Sequence, residues 1–125
     1  MSEPPSDLPE PMQHYLRMWN ERDLEQVRAH LDQAVSDDCL WVDPHNDHVG
    51  RDALEANVRE FRTKFPTAEL GLASRVDHHH DRYRYEWLIT MDGKVLMPGF
   101  DVVTLDASGL IGRVDGFFGV LDRTD

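Results

Sequence analysis

The sequence has a single cysteine, few basic residues and no long apolar run. Cys39 cannot form an intrachain disulfide, and a lone thiol fits a reducing compartment. Thirteen Lys and Arg stand against 24 Asp and Glu, so the formal net charge is −11 at pH 7. An acidic chain without a basic cluster repels nucleic-acid phosphates and anionic membrane surfaces. No apolar run approaches the roughly 20 residues of a membrane span, and the N-terminus lacks signal-peptide features. These absences predict a cytoplasmic protein with no nucleic-acid or membrane partner.

The residues that are present suffice for one folded domain. The 125 residues include three Trp, five Phe and three Tyr, which supply large apolar groups for a core. Residues 1–10 carry Pro4, Pro5 and Pro9 among acidic residues, which predicts a flexible acidic arm. Residues 11–125 are predicted to form a single domain.

Three segments in the first half show the apolar periodicity of amphipathic helices. Pro11 suits the first turn of the first helix. Asp23 with Gln26 resembles a capping box at the start of the second. Gly50-Arg51-Asp52 opens the third, and Pro66 ends it. The apolar faces are Met12, Tyr15, Leu16 and Trp19; Leu24, Val27 and Leu31; and Leu54, Val58, Phe61 and Phe65.

The remaining segments are predicted to be strands. One early strand, Cys39–Val42, ends in a polar loop over residues 43–48. From residue 68 the pattern has period two, and Asp92-Gly93 is a hairpin signal. A meander of four strands is predicted around residues 83–89, 94–97, 102–105 and 110–121. The fold class is therefore α+β, with three N-terminal helices packed on a curved, mainly antiparallel sheet.

Several stretches resemble the NTF2-like superfamily, in the branch that contains ketosteroid isomerase and the SnoaL-like polyketide cyclases. The resemblance runs from about Met12 to Leu121. It implies a cone whose mouth leads into an apolar pocket, often in a homodimer that packs on the outer sheet face. The matching stretches are Tyr15-Leu16, Trp19-Asn20, Asp23-Leu24, Val42-Asp43-Pro44, Gly50-Arg51-Asp52-Ala53-Leu54, Asp101-Val102-Val103-Thr104-Leu105, Gly109 and Gly116-Phe117-Phe118-Gly119.

The resemblance implies three catalytic residues, Tyr15, Asp43 and Asp101. A carboxylate at the rim of a pocket moves a proton between carbons, while a phenol and a protonated carboxyl group donate hydrogen bonds to the enolate. Tyr15 fits a core aromatic residue equally well, and Asp before Pro is often only a turn former. Asp101 shares its strand parity with Val103, so period two points its carboxyl group inward. An inward carboxylate must be paired, protonated or functional.

Other features depart from the steroid isomerase pattern. Pro98 and Asp101 are one residue further apart than the steroid isomerase pattern has them. The Arg-bracketed Asp pair of limonene epoxide hydrolase is also not matched, because Gly99 stands where an Arg would be needed. The other tyrosines, Tyr83 and Tyr85, do not lie where a supporting phenol network is expected. The chain instead has a series of histidines. In this respect it resembles the SnoaL-like cyclases and related dehydratases, which use His with Asp as acid–base pairs. They are His45, His48 and the run His78-His79-His80, of which His78 is the predicted acid–base residue.

The expected function is proton transfer alpha to a carbonyl group of a small hydrophobic substrate. Isomerisation, cyclisation and dehydration share that step and stay open. The alternative is a non-catalytic module for ligand binding or dimerisation. His78 and His80 with His45 or His48 lack a proven ligand spacing, so neither a metal ion nor a cofactor is expected. The predicted pocket residues are Trp19, Trp41, His45, Trp87 and Phe118. Three of them, Trp41, Trp87 and Phe118, would fill a core equally well.

Overall fold

The computed structural model describes residues 3–124, and within them three α-helices and seven strands follow one another. Met1, Ser2 and Asp125 lie outside the described residues, and with them the ends of the predicted arm and domain. The elements are α1 (Glu10–Met18), a 3-10 helix (Leu24–Gln26), α2 (Val27–Ala34), β1 (Val35–Asp43), β2 (Asn46–Val49), α3 (Arg51–Lys64), β3 (Glu69–Leu72), β4 (Asp77–His79), β5 (Arg82–Met91), β6 (Lys94–Leu105) and β7 (Ile111–Phe118).

The strands form one mixed sheet in the order β2-β1-β7-β6-β5-β3. β1 and β7 are parallel, and the other pairs among the described strands are antiparallel. β3 pairs with the second half of β5, and β4 pairs with its first half. The predicted α+β class and the mainly antiparallel sheet are therefore confirmed.

The predicted polar loop after the first strand is wrong. Asp43 and Asn46 are paired residues, so β1 and β2 form a hairpin joined by a two-residue turn. The Asp43 side chain accepts a hydrogen bond from the backbone N–H of His45, 2.8 Å away, which holds this turn. β2 lies at the edge of the sheet with alternately exposed residues, so a polar sequence is compatible with a strand there.

The predicted meander also divides the chain incorrectly. Residues 94–97 and 102–105 belong to one strand, β6, which continues through Pro98 and Gly99. Pro98 needs no hydrogen bond from its nitrogen, and its carbonyl accepts one from Gly119 at 2.7 Å. Gly99 lies against the ring of Trp87, its cross-strand partner. The two short strands β3 and β4 fall in the stretch between Pro66 and β5, where no separate strands are predicted.

The three predicted helices are present, with small differences at their starts. α1 begins one residue before Pro11. Asp23 accepts a hydrogen bond from the backbone N–H of Glu25, and this cap begins the 3-10 helix that leads into α2. Gly50 precedes α3 with a φ of 98°, a conformation that favours glycine. In the arm, Gln13 of α1 donates to two backbone carbonyls, while the flexibility of the arm stays a prediction.

One hydrophobic core joins the helices and the sheet. Its buried residues come from all three helices and from β1, β3, β5, β6 and β7. Cys39 is part of this core, and burial raises the pKa of its thiol to about 12. Cys39 therefore packs as a small apolar residue. Over residues 3–124, no helix is long and apolar enough to cross a membrane.

Candidate active site

A cavity of about 140 Å³ lies between the helices and the inner face of the sheet. Tyr15, Asp43 and Asp101 all line it, so the three predicted catalytic residues come together. Four of the five predicted pocket residues line it too, namely Trp19, Trp41, Trp87 and Phe118. The rest of the wall consists of Asn46, Asn57, Phe61, Leu70, Ile89 and Gly116.

Asp101 is a buried carboxyl group in the middle of this wall. Its exposure is 8%, and its side chain points inward as its strand parity predicts. The Tyr85 hydroxyl donates a hydrogen bond to Oδ2 over 3.0 Å. Burial raises the pKa of Asp101 to about 6, while the side chains of Trp87 and Tyr85 oppose that rise and the charge of Asp43 adds to it. A carboxyl group with this pKa changes protonation close to neutral pH.

Tyr85 is a site residue that the sequence analysis misses. It faces Asp101 across β5 and β6, is fully buried, and has a pKa raised well above the usual value by burial and by the Asp101 charge. Counting back from the Asp92-Gly93 hairpin would pair Tyr85 with Phe100. A bulge between Ile89 and Thr90 shifts the register by one residue. The supporting phenol expected to be absent is therefore present.

Tyr15 presents its hydroxyl group to the cavity from α1. The Trp41 indole N–H donates to the Tyr15 oxygen over 3.2 Å, so the hydroxyl hydrogen is left for another acceptor. Burial raises the pKa of Tyr15 well above its usual value, and the negative charge of Asp101 raises it further. The phenol therefore stays neutral at physiological pH and keeps a hydrogen that it can donate.

Asp43 lies at the mouth, at the end of β1, and is half-buried. The Asn46 amide donates to both of its carboxylate oxygens, at 2.9 and 3.1 Å. The Asn46 carbonyl oxygen accepts from Asn57 of α3 at 2.8 Å, and the His48 ring nitrogen lies 3.1 Å from it. Nothing in one sequence marks Asn46 or Asn57, because their contact depends on how α3 packs on the hairpin.

Gly116 of β7 lies between the side chains of Asp101 and Asp43. A Cβ atom at this position would be 3.1 Å from Oδ1 of Asp101 and 3.3 Å from Cβ of Asp43. Such contacts are tighter than ordinary van der Waals distances, so a larger residue would displace one of the carboxyl groups. The small residue keeps the space between Asp43 and Asp101 open.

The structure places His45, His48 and His78 in different surroundings. His78 lies exposed on β4, where its ring contacts Tyr83 edge-on at 5.2 Å between centroids. It lines a different groove, beside the N-terminal arm, so the structure does not bring it to Asp43 and Asp101. His45 contacts Phe118 at 5.3 Å, outside the inner cavity. His48 stacks on Trp41, its cross-strand partner, with 6.1 Å between ring centroids. In the part of the chain that is described, no three His, Cys, Asp or Glu side chains group as metal ligands.

Comparison with solved structures identifies the class of fold. An NTF2-like protein of unknown function from Exiguobacterium sp. 255-15 has a TM-score of 0.71 at 22% identity, covering 89% of this chain and 99% of that chain. A protein from Sinorhizobium meliloti with the provisional name polyketide cyclase has a TM-score of 0.70 at 14% identity, over 88% and 95%. The first of these similarities shows that the chain has an NTF2-like fold.

The family follows from the sequence itself. The model described as a SnoaL-like domain matches residues 12–114, so the chain belongs to the SnoaL-like family. A protein of this family from Agrobacterium tumefaciens str. C58, provisionally named an isomerase, is 34% identical with a TM-score of 0.82; the match covers 88% of this chain and 95% of that chain. Among curated proteins, none matches the sequence. The resemblance stated from the residues is confirmed.

Proposed function

We propose that the protein is an enzyme that transfers a proton at the carbon alpha to a carbonyl group in a small hydrophobic substrate. The observation that supports this proposal is the meeting of Tyr15, Asp43 and Asp101 in one aromatic-walled cavity. A donor phenol, a carboxylate and a carboxyl group of raised pKa are the components that enolate chemistry requires.

In the proposed reaction, Asp43 is the base. Its carboxylate removes the alpha proton, and the electron pair of the broken C–H bond moves into the carbonyl group to form an enolate. Tyr15 and protonated Asp101 donate hydrogen bonds to the enolate oxygen. The proton on Asp43 then returns to the substrate. Hydrogen bonds from Asn46 and from the backbone of His45 hold the carboxylate in place.

The proton on Asp101 is available for this role. With a pKa of about 6, roughly a tenth of the carboxyl group is protonated at pH 7 in the empty cavity. A bound substrate excludes water, and a developing negative charge on its oxygen favours the protonated form further. The enolate therefore recruits the protonated carboxyl group at the moment it needs a donor.

Similar proteins carry names that fit this chemistry. One is provisionally named an isomerase and another a polyketide cyclase. Isomerisation returns the proton to a different carbon, cyclisation uses the enolate as a nucleophile, and dehydration expels a beta hydroxyl group from it. All three begin with the same removal of an alpha proton. No metal ion or cofactor takes part in the proposed steps.

A specific observation favours a second candidate, a non-catalytic ligand-binding module. The Asp43 carboxylate accepts hydrogen bonds from its own turn, which accounts for an aspartate at this position without any chemistry. In this case the aromatic cavity binds a small hydrophobic ligand without turnover. The conical shape, the homodimer, the cytoplasmic location and the boundary of the N-terminal arm likewise stay predictions.

Hydrogen exchange distinguishes the two candidates. Cyclohexanone in D2O is incubated with the protein, and loss of the alpha-proton signal is followed by NMR. We expect exchange above the buffer rate, and a decrease of about 10²–10⁴-fold in Asp43→Asn and Asp101→Asn. Asp115→Asn is the matched control, because Asp115 pairs with Arg113 on the outer face. Exchange that is unaffected by both site variants contradicts the enzyme, and ligand binding without exchange supports the second candidate.

A further inference from the structure

The candidate site has two parts. The inner cavity of about 140 Å³ adjoins an outer chamber of about 530 Å³. The two share six lining residues, and we call this group the neck. The neck consists of Asn46, Asn57, Phe61, Trp87, Ile89 and Phe118. Tyr15 and Asp101 line only the inner cavity, so a carbonyl group that they bind lies beyond the neck.

The side chains of the neck are held by contacts with their neighbours. A Cβ atom at Gly99 would lie 2.0 Å from the Trp87 ring, so that ring rests directly on the backbone of β6. Phe118 packs edge-on against Trp87 at 6.1 Å between centroids, and Phe61 contacts Trp19 in the same way at 5.6 Å. In the same group, a hydrogen bond from Asn57 to Asn46 joins α3 to the hairpin. Widening the neck breaks these contacts.

The volume of the inner cavity limits what it holds. An engineered apolar cavity of about 150 Å³ is known to bind one benzene molecule. The inner cavity of about 140 Å³ therefore has room for a single six-membered ring or a short chain of similar volume. A fused system of several rings exceeds this volume, so part of it would have to lie among the neck residues.

The outer chamber has a different character. Apolar side chains such as Met97 share its wall with polar ones such as His45. Its charged residues Lys64 and Glu60 form an ion pair at 3.0 Å, so the chamber does not present an unpaired cation to an anionic group. A neutral tail with polar and apolar portions suits these surroundings.

We propose that the substrate is a neutral carbonyl compound with a single-ring-sized head, a narrow connection through the neck and a tail in the outer chamber, and that fused polycyclic ketones are excluded. The identity of the head group as a carbonyl compound rests on the proposed function. The size limit rests only on the two volumes and on the neck.

Phenols test the size limit because they carry the oxygen of an enol on a ring. We compare the dissociation constants of 4-butylphenol and the tetracyclic phenol estradiol by calorimetry. Although estradiol has more apolar surface, 4-butylphenol is expected to bind at least about tenfold more tightly. Estradiol binding that equals or exceeds the binding of 4-butylphenol overturns the proposal, and so does a failure of 4-butylphenol to bind.

Two neighbouring phenylalanines provide a matched pair of variants. Phe118→Ala widens the neck and should improve estradiol binding at least about fivefold relative to 4-butylphenol. Phe117→Ala makes the same change on the outer face, where Phe117 is 59% exposed. This variant should leave the ratio of the two dissociation constants unchanged. An equal change of the ratio in both variants contradicts the role of the neck. Circular dichroism and light scattering confirm that each variant keeps the fold and assembly of the parent.

The size proposal and the proposed function fail separately. Phenol binding requires no turnover. If the protein prefers 4-butylphenol to estradiol but does not exchange the alpha protons of cyclohexanone, the proposed enzymatic function is overturned and the size limit is supported. If exchange depends on Asp43 and Asp101 but estradiol binds at least as tightly as 4-butylphenol, the size limit is overturned and the proposed enzymatic function is supported.

Discussion

Asp101→Asn measures the cost of keeping a carboxyl group in the cavity wall. Burial raises the pKa of Asp101 from 3.8 to about 6, which means that the folded state disfavours the ionised form. An asparagine cannot ionise, and its carbonyl oxygen can still accept the hydrogen bond from Tyr85. The substitution therefore removes the ionisation cost and keeps most of the local contacts.

The sign of the effect follows from the direction of the shift. Below pH 3.8 the carboxyl group is protonated in both states, and the cost is absent. As the pH rises from 3.8 to about 6, the unfolded chain loses its proton first, so the free energy of unfolding of the parent decreases. A rise of about two pKa units corresponds to about 3 kcal/mol at neutral pH, of which about 2 kcal/mol develops between pH 4.5 and 7.5.

Urea denaturation followed by fluorescence provides the measurement. The free energies of unfolding of the parent and of Asp101→Asn are compared at pH 4.5, 6.0 and 7.5. The difference should change by about 2 kcal/mol in favour of the variant over this range. Asp115→Asn, on the outer face, serves as the control and should show no such trend. A difference that stays constant to within about 0.5 kcal/mol would refute the inference that burial of Asp101 is costly.

The same variant connects stability with activity. If Asp101 donates a proton or a hydrogen bond to the enolate, Asp101→Asn gains stability at neutral pH while it loses exchange activity. Such an opposition is expected where a site keeps a group in an unfavourable environment for function. A variant that is more stable and fully active would assign Asp101 no part in the reaction.

Two further substitutions test the structures that hold the cavity walls. Gly99→Ala should lower the free energy of unfolding by about 2 kcal/mol or more, because the added methyl group meets the Trp87 ring. Gly93→Ala, where there is open space but a φ of 79°, should lower it by less. Urea denaturation measures both variants, and the reverse order would contradict the close approach of Trp87 to Gly99. Arg62→Met should cost about 3 kcal/mol, because the buried guanidinium group donates to four backbone carbonyls, those of Trp19, Phe65, Pro66 and Ala68. The exposed Arg82→Met should stay within about 0.5 kcal/mol in the same urea denaturation series, and an equal loss in both variants would show that these bonds contribute little.

Local patterns account for the parts of the fold that were predicted correctly. The periodicity of Met12, Tyr15, Leu16 and Trp19 places α1, because a helix repeats about every 3.6 residues whatever it packs against. The alternation of residues in β6 places Asp101 on the inner face for a similar reason. These inferences need only the chain within a few residues of the position.

Errors arise where distant segments decide the structure. The sequence around His48 is polar, and only its pairing with β1 makes it a strand. Pro98 reads as an interruption, although β5 and Gly119 keep it within β6. His78 was expected at the site because imidazole suits acid–base chemistry, but β4 pairs with the first half of β5, away from the cavity.

Taken by itself, the sequence determined the class of fold, the helix faces, the inward direction of Asp101 and the charge that disfavours phosphate partners. All of these depend on composition or on the geometry of one element. The tertiary structure alone decided that Tyr85 faces Asp101, that Asn46 holds Asp43, and that the inner cavity has a volume of about 140 Å³. Each of these depends on strand register and on the packing of helices against the sheet, which contacts between residues far apart in the chain determine.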